Sequence, residues 1–278
     1  MFPLKDENPT TRTPFLTVLI LIACVGAYLG PQSAVTDQRE SLEFNLQWAA
    51  IPCELRTAEP LSVDEIEDTF IDGDFTACVN DDPGPQLFPD KFVYLGVLTS
   101  MFLHGGLFHL GGNMLFLWIF GNNIEDRLGH LNFLLFYVVG GVFATVAHVA
   151  VQPASTIPVV GASGAIAAIM GAYAVWFPNA PVRTLIFVFL RDISAKWFLG
   201  IWFVTQFFTG AESGVAWMAH VGGFVFGVAI ALLLRGTEWA NRKLNRSDDP
   251  MEWDYTGGVG RGPYPHMLDG RQARERGF

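Results

Sequence analysis

Ser163 sits in the stretch GASGAIAAIMGAY, Gly161–Tyr173, as a single small hydroxyl among glycine, alanine and larger apolar residues. His220 is similarly isolated in AHVGGFVFG, Ala219–Gly227. A serine hydroxyl is a weak nucleophile at its own pKa. An imidazole within hydrogen-bond reach can take its proton and later return it to a leaving amine, so the two groups suffice for acyl transfer. His109, Asn113, Thr145 and His148 are the other polar groups set in apolar surroundings. In hydrocarbon such groups are expensive and mark functional sites by default. Each also has a plainer reading: G-x-S-G at a helix start can be a packing motif, and a lone intramembrane histidine can bond a neighbouring carbonyl. The hydrolase elbow G-x-S-x-G does not apply, since Ala165 stands two residues after Ser163. No H-E-x-x-H metalloprotease signature occurs. A haem site on His109, His148 and His220 would need histidines facing each other across one cavity.

The elements that must position these groups are apolar. Of 278 residues 51% are hydrophobic and only 16% charged, which points to a membrane protein rather than a soluble domain. Apolar runs occur at Phe15–Gly30, Phe102–Phe120, Leu131–Val151, Val159–Phe177, Ala195–Gly210 and Val215–Leu234. Each is near the roughly 20 residues that a helix needs to cross hydrocarbon. Six crossings are therefore expected. The first run is read as a retained span, because no small-x-small cleavage site follows it. Leu185–Leu190 is apolar too, but Arg191, Asp192 and Lys196 separate it from the fifth span, so it is expected to be a surface connector.

Charge gives the orientation. The net charge is −10, and Ser33–Asp90 holds fourteen acids against Arg39 and Arg56. Basic residues cluster at the opposite ends of the spans: Lys5, Arg12, Arg127, Arg183, Arg235, Arg242, Lys243 and Arg246. By the positive-inside rule both termini should be cytoplasmic and the acidic insert outside, with the cell membrane as the expected location. The organisation read from this is an N-terminus at 1–13, a first span at 14–31, an acidic insert at 32–91, a core with five spans at 92–235 and a polar tail at 236–278. Within the insert, LSVDEIEDTF is expected to form a short amphipathic helix, and Pro83-Gly84-Pro85 argues against one regular element. Cys53 and Cys78 both fall there; an oxidising exterior would permit them to pair, or they stay two free thiols.

Small residues suggest how two spans could meet. Gly164, Ala168 and Gly171 lie along the fourth run, and Ala216, Gly223 and Gly227 along the sixth, the last two as G-x-x-x-G. Such positions let helix backbones approach closely. With those faces packed, Ser163 and His220 share one end of the bundle.

Four blocks then carry a resemblance: HGGLFHLGGN (His104–Asn113), GNNIEDRLG (Gly121–Gly129), GASGA (Gly161–Ala165) and AHVGGFVFG. Together they make the chain resemble the rhomboid family of intramembrane serine proteases. The resemblance implies an all-α membrane protein, a six-transmembrane-helix bundle with a long outer loop between helices 1 and 2. It implies Ser163 as nucleophile and His220 as general base. His109 and Asn113, in H-x-x-x-N, would stabilise the oxyanion with the Ser163 amide; i and i+4 share one helix face, as that role requires. His104, Glu125, Arg127, Gly161, Gly164, Gly223 and Gly227 would be structural. The expected partners are transmembrane substrates and the bilayer, with no nucleic acid, no cofactor and no metal. The alternative is a catalytically silent relative that binds membrane clients. Two features depart from the family: Ala167 stands where many relatives have an aromatic residue stacked on the histidine, and Leu95-Gly96 where a Trp-Arg pair is common. His220 then needs another group to hold it. His148 has no family counterpart.

Overall fold

The computed structural model describes residues 1–35, 37–78, 84–209 and 216–235. The chain forms a compact unit, Met1–Leu232, and a C-terminal unit, Leu233–Phe278. The tail expected at 236–278 lies outside the described residues.

The fold is mostly helical. Helix α1 (Phe15–Ala27) continues as a π-helical turn, Tyr28–Gln32, at Pro31, whose ring and missing N–H disturb the regular hydrogen-bond ladder. With that turn, α1 is one of three helices long and apolar enough to cross a bilayer; α8 (His130–Val151) and α11 (Trp217–Arg235) are the others. The short helix α5 (Leu95–Thr99) precedes α6 (Leu107–Phe116), which passes through a π turn, Leu117–Gly121, into α7 (Asn122–Leu128). Gly129, at φ 76°, ends it, a backbone angle that favours glycine.

Helix α9 (Ser163–Trp176) is shorter, and Gly164 through Tyr173 are all buried. It is the central helix, packed against α8, α10 (Ala195–Gln206) and α11. Small residues make this possible. A methyl group added at Gly223 would lie 2.2 Å from the Gly164 carbonyl oxygen, and one at Gly227 1.9 Å from that of Ala168. At Gly171 it would meet the Phe224 carbonyl at 2.1 Å, and at Gly164 the Ala144 methyl at 2.7 Å. The α9 and α11 backbones therefore touch directly, as the small-residue pattern predicts.

One element departs from the all-α expectation. Strands β1 (Phe2–Asp6), β2 (Pro181–Ile186) and β3 (Phe189–Ser194) form an antiparallel sheet in the order β1-β2-β3. The connector at Leu185–Leu190 is thus the turn of a hairpin, with Phe187 at φ 53°. Its residues satisfy their backbone groups across strands. Val182 and Thr184 alternate inward while Arg183 bonds Asp192 across the pair at 3.0 Å. At the end of β1 the Asp6 carboxylate accepts hydrogen bonds from Tyr173 Oη and Asn123 Nδ2, both 2.7 Å. Burial pushes this carboxyl up to about 6, against the pull of those two donors.

The acidic insert is ordered by local rules. Helices α2 (Gln38–Trp48), α3 (Pro52–Thr57) and α4 (Val63–Phe70) enclose a cluster of Leu46, Ile51, Cys53, Leu61 and Cys78. Helix α4 falls within the expected amphipathic stretch and begins in a capping box: Ser62 Oγ accepts from the Glu65 amide, and Glu65 accepts from that of Ser62. Cys53 and Cys78 are joined by a disulfide. The Glu54 carboxylate meets the Lys91 ammonium at 2.5 Å with both side chains only 3% exposed. Burial pushes Glu54 up and Lys91 down, and their mutual attraction opposes both shifts. The insert grips the segment between α8 and α9. Cys53 N–H donates to the Ser155 carbonyl at 2.9 Å, Val159 N–H to that of Ala50 at 2.8 Å, and Thr69 Oγ1 meets Thr156 Oγ1 at 2.7 Å.

Two outcomes follow from this packing. Gly227→Val should destabilise the protein by about 3 kcal/mol or more, since no repacking of side chains frees space beside a carbonyl, whereas Gly200→Val, facing open space, should leave the unfolding transition in detergent nearly unmoved. Asp6 binds its proton more tightly folded (about 6) than unfolded (3.8), so folding favours the neutral form and loses stability as pH rises from about 4 to 6. Asp6→Asn should therefore raise stability at pH 7 by roughly 2–3 kcal/mol and leave it little changed at pH 4, read by unfolding at the two pH values.

Candidate active site

Ser163 opens α9, so its amide is one of the first-turn N–H groups that have no partner within the helix. Its Oγ lies 2.8 Å from His220 Nε2. His220 stands one turn into α11, and the glycine contacts between α9 and α11 set the two side chains at one level. The imidazole is further held by α10: its Nδ1 lies 2.8 Å from Gln206 Oε1, and the Trp202 ring packs 6.0 Å away, centroid to centroid.

His109 and Asn113 lie one turn apart on α6. Gly105 N–H donates to His109 Nδ1 at 3.3 Å, which leaves Nε2 carrying the proton. That edge faces Gly161: a methyl group there would lie 2.9 Å from His109 Nε2 and 3.4 Å from Ser163 Oγ. Gly161 adopts φ 128°, so both its backbone angle and its lack of a side chain are required. Asn113 is 7% exposed, and its Nδ2 has no hydrogen-bond partner. A buried amide N–H without an acceptor is costly unless a ligand supplies one.

These groups line one cavity of about 980 Å³. It also takes in His148, whose Nδ1 is likewise unpartnered, and Phe75 and Thr76 of the insert. The space suits an extended segment of polypeptide, with a hydroxyl, its base and a ring of donors along one wall. An attacking Ser163 Oγ could pass its proton to His220 while the His109 and Asn113 donors and the Ser163 amide face the oxygen that gains charge.

The remaining candidates do not line this cavity, although the His104 ring packs edge-on against His109, centroids 5.3 Å apart. His104 is anchored by its backbone: its N–H donates to Gln32 Oε1 at 3.0 Å and its carbonyl accepts from Gln32 Nε2 at 3.2 Å. Glu125 is fully buried at the other end of the helix bundle. It accepts from the Leu16 and Thr17 amides at 2.8 and 2.7 Å and meets His130 at 2.5 Å, fixing the start of α1. Arg127 lies over the Trp176 and Phe177 rings at 5.0 and 5.5 Å.

Sequence reasoning missed Gln206, Phe75 and Thr76. Gln206 carried a signal, a lone polar amide inside the fifth apolar run. The other two carried none, because only the folding of the insert onto the Gln152–Ala162 segment brings them to the cavity.

A family model described as "Rhomboid domain" matches residues 91–237. The chain is 32% identical over 143 residues to Rhomboid protein 1, mitochondrial, of Saccharomyces cerevisiae, covering 48% of this chain and 40% of that protein. It is 31% identical over 157 residues to the human presenilin-associated rhomboid-like protein, mitochondrial, covering 53% and 40%. With Rhomboid protease GluP of Bacillus subtilis the identity is 33% over 138 residues, covering 50% and 25%. The match thus spans well under half the length of each of these relatives. The mitochondrial naming of the first two overturns the cell-membrane location expected from the sequence. Charge bias orients a protein within whichever membrane receives it and does not identify that membrane.

Gly161→Ala should cost about 1–2 kcal/mol from its backbone angle alone, plus the contact with His109. Gly111→Ala, a helix position with open space around it, should cost nothing, as measured by chemical denaturation in detergent.

Proposed function

The chain belongs to the rhomboid family, and on that premise we propose that it is a serine endopeptidase that cuts transmembrane helices within the bilayer. The observation that carries this reading is the 2.8 Å contact between Ser163 Oγ and His220 Nε2 in a cavity that also holds the unpartnered Asn113 amide. Six segments cross the membrane: α1 with its π turn, α6 running into α7, α8, α9, α10 and α11. The insert at 32–91 lies over the face on which the cavity opens. A substrate helix enters beside α10, unwinds locally and lays its scissile carbonyl against Ser163. Backbone freed from a helix is tolerated there because it faces protein and water rather than lipid.

Chemistry then proceeds in two halves. His220 Nε2 takes the hydroxyl proton as Oγ bonds to the carbonyl carbon, and the oxyanion is held by His109, Asn113 and the Ser163 amide. Collapse breaks the C–N bond, and the imidazolium returns its proton to the leaving amine. A water, deprotonated by the same imidazole, hydrolyses the acyl-enzyme and restores the serine. No metal or cofactor enters any step.

A silent client-binding relative would need neither the hydroxyl nor its base, so the intact Ser163–His220 pair favours the protease. Purified protein incubated with a panel of transmembrane substrates should cleave at least one, Ser163→Ala should abolish cleavage, and Asn113→Ala should lower turnover by about 10²–10³. Cleavage that persists in Ser163→Ala would refute the reading.

A further inference from the structure

His220 has two ring nitrogens, and only one arrangement of its proton suits a general base. The nitrogen that faces Ser163 must be bare, so the proton must sit on Nδ1. In a serine hydrolase triad a buried acid enforces this. Among the described residues no carboxylate bonds Nδ1; the side chain there is Gln206, on the last turn of α10 and 7% exposed.

The hydrogen bonds around Gln206 leave no freedom in its orientation. Its amide nitrogen lies 3.0 Å from the Trp202 carbonyl oxygen, which can only accept. That nitrogen also lies 3.3 Å from Thr205 Oγ1, whose own proton is committed to the same Trp202 carbonyl at 2.6 Å. The atom 2.8 Å from His220 Nδ1 is therefore the amide oxygen, which has no proton to give. Nδ1 must donate to it. Nε2 is left with a lone pair directed at Ser163 Oγ, 2.8 Å away.

Trp202, one turn earlier on α10, covers the same ring, so one face of one helix supplies both the packing and the acceptor. This answers the departure noted at Ala167. A methyl group there cannot stack on an imidazole, and the support comes from α10 instead.

We propose that Gln206 is a positioning residue: a neutral amide that fixes the Nδ1–H tautomer and ring orientation of His220, in the place a triad carboxylate would occupy. This rests on the protease reading. A neutral partner orients the ring without adding a charge to a site surrounded by apolar helices. It makes the base dependent on α10, the helix beside which the substrate enters.

The test uses the 278-residue chain in detergent micelles. Gln206→Met keeps the side chain's length and removes the acceptor; kcat on a cleaved transmembrane substrate should fall about 10- to 100-fold with KM little changed. Gln206→Glu restores an acceptor at the same place and should stand at least about fivefold above Gln206→Met. Nitrogen-15 NMR of histidine-labelled wild type, with His220 assigned by its loss in His220→Gln, should show Nδ1 protonated and Nε2 bare. A dominant Nε2–H form, an unchanged kcat in Gln206→Met, or an equal fall in both variants would overturn the proposal. The NMR reading needs no turnover. Wild type that cleaves nothing, or Ser163→Ala that cleaves as well as wild type, would instead defeat the protease reading while leaving the Gln206 contact to be judged from the spectrum.

Discussion

Gly223 lies against the carbonyl of Gly164, and Gly227 against that of Ala168, so closely that no side-chain carbon fits at either position. Two helix backbones in direct contact have little room to slide. This contact sets the height of α11 against α9, and with it the distance from His220 to Ser163. In a bilayer the lipid tails are as apolar as the helices, so close van der Waals packing has to supply what hydrophobic burial supplies in water. The glycines are costly to order in an unfolded chain and contribute no side-chain packing of their own. What they permit is the approach.

The rest of the site is held from three further directions. Helix α6 brings His109 and Asn113 on one face, with Gly105 fixing the tautomer of the first. Helix α10 brings Trp202 and Gln206 against the imidazole. The insert, tied by its disulfide and the buried Glu54–Lys91 pair, holds the segment that leads into Ser163. The Asn113 amide that faces the cavity is buried without a partner, which is the condition of a site waiting for a carbonyl.

Much of this was legible in the residues. The apolar runs mark the long helices, the amphipathic LSVDEIEDTF marks α4, and the small residues of the fourth and sixth runs mark the faces that meet. The sheet was not legible, because an apolar stretch of six residues carries no period long enough to separate a hairpin from a connector, and its partner β1 lies about 180 residues away in sequence. Asp6 was hidden for the same reason: its burial depends on Tyr173 and Asn123, both distant in sequence. At the site, Ser163 and His220 stood out by their isolation; Gln206 carried the same kind of signal, but a glutamine near the end of an apolar run also suits the water interface. Its meaning lies in the orientation of one amide, which is a property of three-dimensional neighbours alone. The charge pattern carried no information about which membrane the chain enters.

The central claim is that Ser163 is made nucleophilic by His220. Peptide mapping by mass spectrometry after treatment with a fluorophosphonate tests it most directly, because such reagents phosphonylate an activated serine hydroxyl and leave ordinary ones untouched. The account predicts one adduct, on the peptide carrying Ser163, that disappears in His220→Ala. Absence of any adduct on that peptide, or an adduct that survives the loss of His220, would contradict it.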